Sequence, residues 1–153
     1  MITPRDQCPK FAGQSNLLGR TAGAQHTDYT ASTGTGNNQA SQYIFFFTDA
    51  ASAQQAFTWI QSRYGPSCLA GSGATITKTA GDGVTSATWL TVKSTSTNPD
   101  LPEYSREYFV LRGSTIALVS VTSYTNSLST SYNDTAELSS IAAHLCVYGG
   151  SCH

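Results

Sequence analysis

The hydrophobic pattern of this chain keeps changing period, and that limits it to a sheet-dominated fold. Six stretches alternate at period two or run as short β-branched and aromatic blocks, and only two carry the 3.6-residue period of an amphipathic helix. The first candidate strand is 23–33, closed by the turn signal Gly34-Thr35-Gly36-Asn37-Asn38. Gln42 to Phe47 reads as a strand buried on both faces. Thr48 or Asp49 then caps a helix to about Tyr64, with Ala50, Ala53, Phe57, Ile60 and Tyr64 on its inner face, Trp59 beside them, and Gly65-Pro66 as the stop. Strands are expected over 74–79 and 84–93, separated by a Gly81-Asp82-Gly83 turn, and over 103–112 after the loop 94–102. Gly113-Ser114 is a two-residue hairpin loop with glycine first, returning the chain as 115–124. Asn133 or Asp134 caps a last helix whose Leu138, Ile141, Ala142 and Leu145 fall at i, i+3, i+4 and i+7, with Gly149-Gly150 beyond it. Asn133-Asp134-Thr135 also matches the glycosylation sequon, and the cap is the preferred role. A parallel sheet needs a crossover between strands, and two helices cannot supply enough of them. The expected class is α+β: an antiparallel, meander-rich sheet of five to six strands with two main helices packed on it.

With 153 residues, the chain has room for one hydrophobic core, so 1–153 is read as a single domain with an irregular arm over 1–20. Charged residues make up only 11%, against roughly 25% in an ordinary soluble domain, and 21 Thr and 20 Ser take over much of the solvent-facing work. A net charge of -1 provides no field to hold a nucleic acid or an anionic membrane, and neither is expected as a partner. No stretch approaches the ~20 apolar residues of a membrane helix, and the start Met1-Ile2-Thr3-Pro4-Arg5-Asp6 is not a signal peptide, so a signal or anchor is expected upstream. Cys8, Cys68, Cys146 and Cys152 form an even set without a C-x-x-C pair, which favours disulfides in an oxidising compartment over a metal site. The short flexible Val-Tyr-Gly-Gly-Ser link favours Cys146–Cys152 with Cys8–Cys68; the rival is Cys68–Cys146 with Cys8–Cys152. A bridge from Cys8 to Cys68 would be worth on the order of 4 kcal/mol through loop entropy.

No catalytic constellation emerges, and no cofactor is expected. Gly71-Ser72-Gly73 lacks the spacing of a nucleophile elbow. Thr33-Gly34-Thr35-Gly36 leads into a strand rather than a helix and carries no lysine, so it is not a phosphate loop. His26 near Asp28 reads as surface polarity, His144 as a helix flank and His153 as a terminus. Glu103 and Glu107 share one strand face, where edge solubility explains them better than glycoside hydrolysis. Binding has better material. If strands 84–93 and 103–112 pair as a hairpin, Trp89, Thr91 and Lys93 come near Tyr108, Arg106 and Tyr104 on one face. Rings interleaved with Lys and Arg suit a small polar ligand such as a sugar. The competing reading places the same rings in a sheet core, because Val119 and Val121 would share the face.

One stretch also carries a family likeness. Phe47-Thr48-Asp49-Ala50-Ala51-Ser52-Ala53 leading to Phe57, Trp59 and Cys68, the hairpin Tyr108-Phe109-Val110-Leu111-Arg112-Gly113 with 116–121, and the closing Ile141-Ala142-Ala143-His144-Leu145-Cys146 together resemble the extracytoplasmic sensor domains of the PknH-like family, which has secreted and lipoprotein relatives in actinobacteria. The likeness covers about two-thirds of the chain. It implies an α+β domain with a sizeable cleft, acting as a ligand-sensing module of the cell envelope or secretome, with an envelope component or small polar molecule as partner. The chain departs from the family's kinase domain, which pairs cysteines on neighbouring hairpin strands; here those strands hold none, and the second bridge would lie at Cys146 and Cys152. A different function class is a secreted inhibitor or interaction protein docking through Ser94-Thr95-Ser96-Thr97-Asn98-Pro99-Asp100; a small hydrolase is a third.

Overall fold

Six antiparallel strands form one sheet in the order β1-β2-β6-β5-β4-β3, so consecutive hairpins build two meanders that meet where β2 pairs with β6. The computed structural model describes residues 21–33, 36–63, 74–84, 87–96, 103–124 and 133–145. The four cysteines with their alternative pairings, the arm 1–20, the Gly-Pro stop, Gly71–Gly73 and the tip of the 94–102 loop lie outside the described residues. The strands are β1 (Thr21–Thr33), β2 (Gly36–Phe47), β3 (Ala74–Val84), β4 (Ala87–Ser96), β5 (Tyr104–Arg112) and β6 (Thr115–Ser123); the helices are α1 (Ala50–Arg63) and α2 (Asp134–His144). The expected α+β class holds, with six strands and two helices among the described residues.

The helices lie on opposite faces of the sheet. Neighbouring residues on a strand point to opposite sides, and β2 is sorted accordingly: Phe45 and Phe47 pack with Ala53, Ala56, Phe57 and Ile60 of α1, whereas Ile44 packs with Leu138, Ala142 and Leu145 around α2. This explains why Gln42–Phe47 reads as doubly buried. Leu90, Val92, Phe109, Leu111 and Ile116 complete the α1 side, and Val110 and Ala117 contribute to the α2 side. The result is three layers around an antiparallel sheet.

Both helices start as their caps dictate. Asp49 Oδ1 accepts the Ser52 amide at 2.7 Å, and Asn133 Oδ1 accepts the Ala136 amide at 3.2 Å, each satisfying a first-turn N–H that has no partner within the helix. Ala50 is exposed, however, and Ala56, on the other flank of the inner face, is buried instead. Gly113 adopts φ 57° at the β5–β6 turn, a left-handed conformation that primed hairpin turns need and glycine supplies at no steric cost.

Two glycine-rich segments behave differently from the expectation. Asn37 and Asn38 belong to β2, not to the turn before it. Gly81-Asp82-Gly83 is not a turn either: β3 continues to Val84, with a bulge between Asp82 and Val84 where Gly83 takes φ 94°. Gly81 sits directly across from Trp89, and a Cβ there would lie 2.8 Å from the indole Cζ2. These glycines make room for a ring and bend an edge strand.

Candidate functional site

The face of the sheet that carries α2 holds every residue of the expected aromatic and basic platform. Lys93 pairs with Arg106, Thr91 with Tyr108, and Trp89 with Val110, so the register is displaced by two residues from the expected one while the shared face is kept. Tyr104 stands across from Thr95 at the end of the ladder. Asp134, in the first turn of α2, draws three of these side chains together: Arg106 Nη1 donates to Oδ1 at 3.0 Å, the Tyr108 hydroxyl donates to the same oxygen at 2.9 Å, and the Lys93 ammonium pairs with Oδ2. Tyr108 is fully buried, and Trp89 packs partly buried beside it.

The cluster works electrostatically as a helix anchor. Desolvation pulls the Asp134 carboxyl upward, but Lys93, Tyr108 and Arg106 outweigh it and hold the carboxyl below the ordinary carboxylate value. Burial, with Asp134 beside it, pushes the Tyr108 hydroxyl up to about 12. At the other end of the helix Arg112 Nη1 donates to the Ala142 carbonyl at 2.8 Å. From Tyr108 to Arg112 a strand advances about 13 Å, and from Asp134 to Ala142 a helix advances about 12 Å. The helix therefore lies along β5, with a carboxylate at its positive end and a guanidinium at its negative end, both favourable to its dipole.

Because α2 lies along β5, the β2–β6 part of the same face is left uncovered, and a cleft of about 390 Å³ opens there. Ala40, Gln42 and Ile44 of β2 and Ala117 and Val119 of β6 form its floor; Ser140, Ile141, His144 and Leu145 form the helical wall, and Tyr29 stands at the far rim. The small side chains of Ala40 and Ala117 leave room above this part of the floor. His144 Nδ1 lies 2.7 Å from the Ser140 carbonyl. A carbonyl can only accept, so in this contact Nδ1 carries a proton and donates. None of these residues was singled out from sequence as a ligand contact. The available signals were the Leu138-Ile141-Ala142-Leu145 stripe and the small residues in otherwise bulky strands, and neither says which two strands face the helix flank.

A second, polar recess of about 340 Å³ lies on the α1 face, lined among others by Asp28, Gln39, Ser41, Tyr43, Ser120 and Thr122. His26 stacks on Tyr43 with ring centroids 4.1 Å apart, and its Nε2 is 2.9 Å from Asp28 Oδ1, so the pair expected as plain surface polarity is an ordered one. Glu107 faces the same side, across from Ser120 on β6 and Val92 on β4. Burial raises its carboxyl from 4.5 to about 7. The edge role expected for the two glutamates fails for Glu107, because β5 is an interior strand; Glu103 is exposed and just precedes it. Among the described residues, no group of three His, Cys, Asp or Glu side chains could hold a metal ion, and no helix is long and apolar enough to cross a membrane.

No known family model matches this sequence, and no curated protein does. Among solved structures, the chain is similar to the crystal structure of PA94 from Pseudomonas aeruginosa, a protein of unknown function labelled a candidate regulator. The two share 14% identity and a TM-score of 0.45, over 68% of this chain and 71% of the other. A likeness at that level carries no functional argument.

Proposed function

We propose that this chain is a ligand-binding, sensor-like module of an extracytoplasmic compartment, and that the cleft between α2 and the β2–β6 part of the sheet receives the ligand. The cleft is the observation that supports this reading. Its volume of about 390 Å³ falls within the range of small-molecule sites, roughly 300–1,000 Å³, and it has their usual make-up of apolar floor and sparse polar rim. Gln42, Ser140, the His144 ring and Tyr29 can orient a compact molecule with an apolar body and a few hydroxyl or amide groups. Binding is favoured over turnover because, among the described residues, no carboxylate lines the cleft to work with His144 as an acid–base pair. Low charge, hydroxyl-rich composition and an even cysteine count support export and two disulfides; a thiol probe that labels cysteines before reduction would argue against both.

The test is a ligand-observed NMR screen of polar envelope components and small amphipathic compounds, followed by titration of any hit into Ala40→Trp, which fills the floor. Hits should bind the parent protein and lose affinity at least tenfold in the variant. Hits that bind both equally would remove the cleft from consideration.

A second reading keeps the ligand on the residues expected from sequence, at Trp89, Lys93, Tyr104 and Arg106, but with Tyr108 as a buried support beneath them and not as a contact. It is favoured by the solvent access of the anchor, since the Lys93 and Asp134 side chains are 39% and 30% exposed. Here Lys93→Ala would abolish binding while Ala40→Trp would not. Binding through the 94–100 loop, as an inhibitor would dock, predicts that a short Gly-Ser replacement destroys activity and that Ala40→Trp and Lys93→Ala both keep it.

A further inference from the structure

The two edges of the sheet are guarded unequally. The strand β3 carries Lys78 near its middle and a bulge at Gly83 just before its end, and a lysine on an edge strand is a recognised device against edge-to-edge association. The strand β1 has its irregularity at the very start, and from Gly23 to Thr33 it pairs with β2 without a break. It contains no Lys, Arg or Pro, and its charged groups are confined to His26 and Asp28. Among the described residues, no strand pairs with its outer edge.

We propose that a second copy of this chain adds its own β1 to this edge, antiparallel and centred on Thr27, to give one continuous sheet across a two-fold axis. Side-chain complementarity sets the register. Residues equally distant from the axis face each other, so centring on Thr27 places His26 across from the partner's Asp28 and Asp28 across from the partner's His26. Centring on His26 sets two imidazoles face to face, and centring on Asp28 sets two carboxylates face to face. An imidazole nitrogen directly across from a carboxylate can hydrogen-bond to it, whereas two carboxylates directly across repel each other. Registers centred between residues would bring the α1 side of one copy against the α2 side of the other and break the alignment of faces.

The side chains concerned are accessible: His26 and Asp28 are 42% and 68% exposed. Both belong to the α1 face, since they stand across from Tyr43 and Ser41, so the two pairs would form one His–Asp–His–Asp group spanning the axis. On the α2 face, the same register brings the partner's Gln25 beside Tyr29, whose ring is 57% exposed and lines the cleft. The second copy would thereby add a rim residue to the cleft of the first. A net charge of -1 offers little repulsion to the pairing, and a patch that matches itself about a two-fold axis is what a symmetric dimer requires.

Sedimentation velocity across a concentration series tests the proposal without any ligand, so it stands or falls separately from the cleft. The parent protein should show a concentration-dependent dimer. His26→Asp and Asp28→His each place like groups across the axis twice, and each should weaken the dimer about tenfold. The double variant restores the His–Asp pairs in the same register and should recover the parent affinity. Unchanged melting temperatures would show that the single variants are folded. A parent protein that is monomeric throughout, single variants that dimerise normally, or a double variant that stays weak would each overturn the proposal.

Discussion

Removing the charge of Glu107 should make this domain more stable at neutral pH, although nothing about an interior glutamate suggests so from the sequence. The carboxyl faces the α1 side of an interior strand between Val92 and Ser120, and burial raises it from 4.5 to about 7. A group raised in this way favours the folded state while protonated. The associated stability is fully present below pH 4.5, where both states hold the proton. It is lost progressively as the pH rises to about 7, because the unfolded chain ionises freely and the folded one must ionise a buried group. At about 1.4 kcal/mol per pH unit, the interval corresponds to about 3 kcal/mol. Glu107→Gln keeps the shape of the protonated acid and has nothing to ionise. Thermal unfolding followed by circular dichroism from about pH 4 to about pH 8 should show matching melting temperatures at the acid end. At the alkaline end the variant should melt higher by about 6–12 °C, taking about 2–4 °C per kcal/mol for a chain of this size. The exposed Glu103→Gln serves as control and should shift neither end. Parallel curves for Glu107→Gln and parent, or a variant less stable at about pH 8, would refute the claim that ionisation of this buried carboxyl costs stability.

Asp134→Ala removes the common partner of Lys93, Arg106 and Tyr108 and should cost about 1–3 kcal/mol in urea unfolding near neutral pH. Because the Asp134 carboxyl is held low, the parent keeps this stability above the ordinary carboxylate range and loses it as pH falls below it, so the gap to the variant should close in strong acid. Gly81→Ala forces a Cβ against the Trp89 ring, should cost about 1–3 kcal/mol by overpacking, and should shift tryptophan fluorescence; an unchanged spectrum and midpoint would mean that the ring lies elsewhere. Val119→Ser on the cleft floor should weaken any cleft ligand in calorimetry while leaving dimerisation unaltered.

Much of the architecture could be read from the residues because its signals are local. The period-two runs, the Asp49 and Asn133 caps, the Gly113 turn and the Leu138–Leu145 stripe each act within a few residues, and each lands where its local chemistry places it. The shared face of Lys93, Arg106 and Tyr108 was legible for the same reason, since strand alternation is a local rule. What lay beyond the sequence depends on distant partners. Gly81 and Gly83 look like a turn until Trp89 is seen across from one of them. Glu107 looks like an edge residue until β6 and β4 close on both sides of β5. The cleft draws its walls from β1, β2, β6 and α2, elements far apart along the chain. Alternation established that the sheet has two faces with different residues, but not which helix covers which face or how much of it. Only the tertiary structure decided that, because Asp134 and Arg112 fix α2 along β5 through contacts 26 to 30 residues apart along the chain, which no local pattern or period encodes.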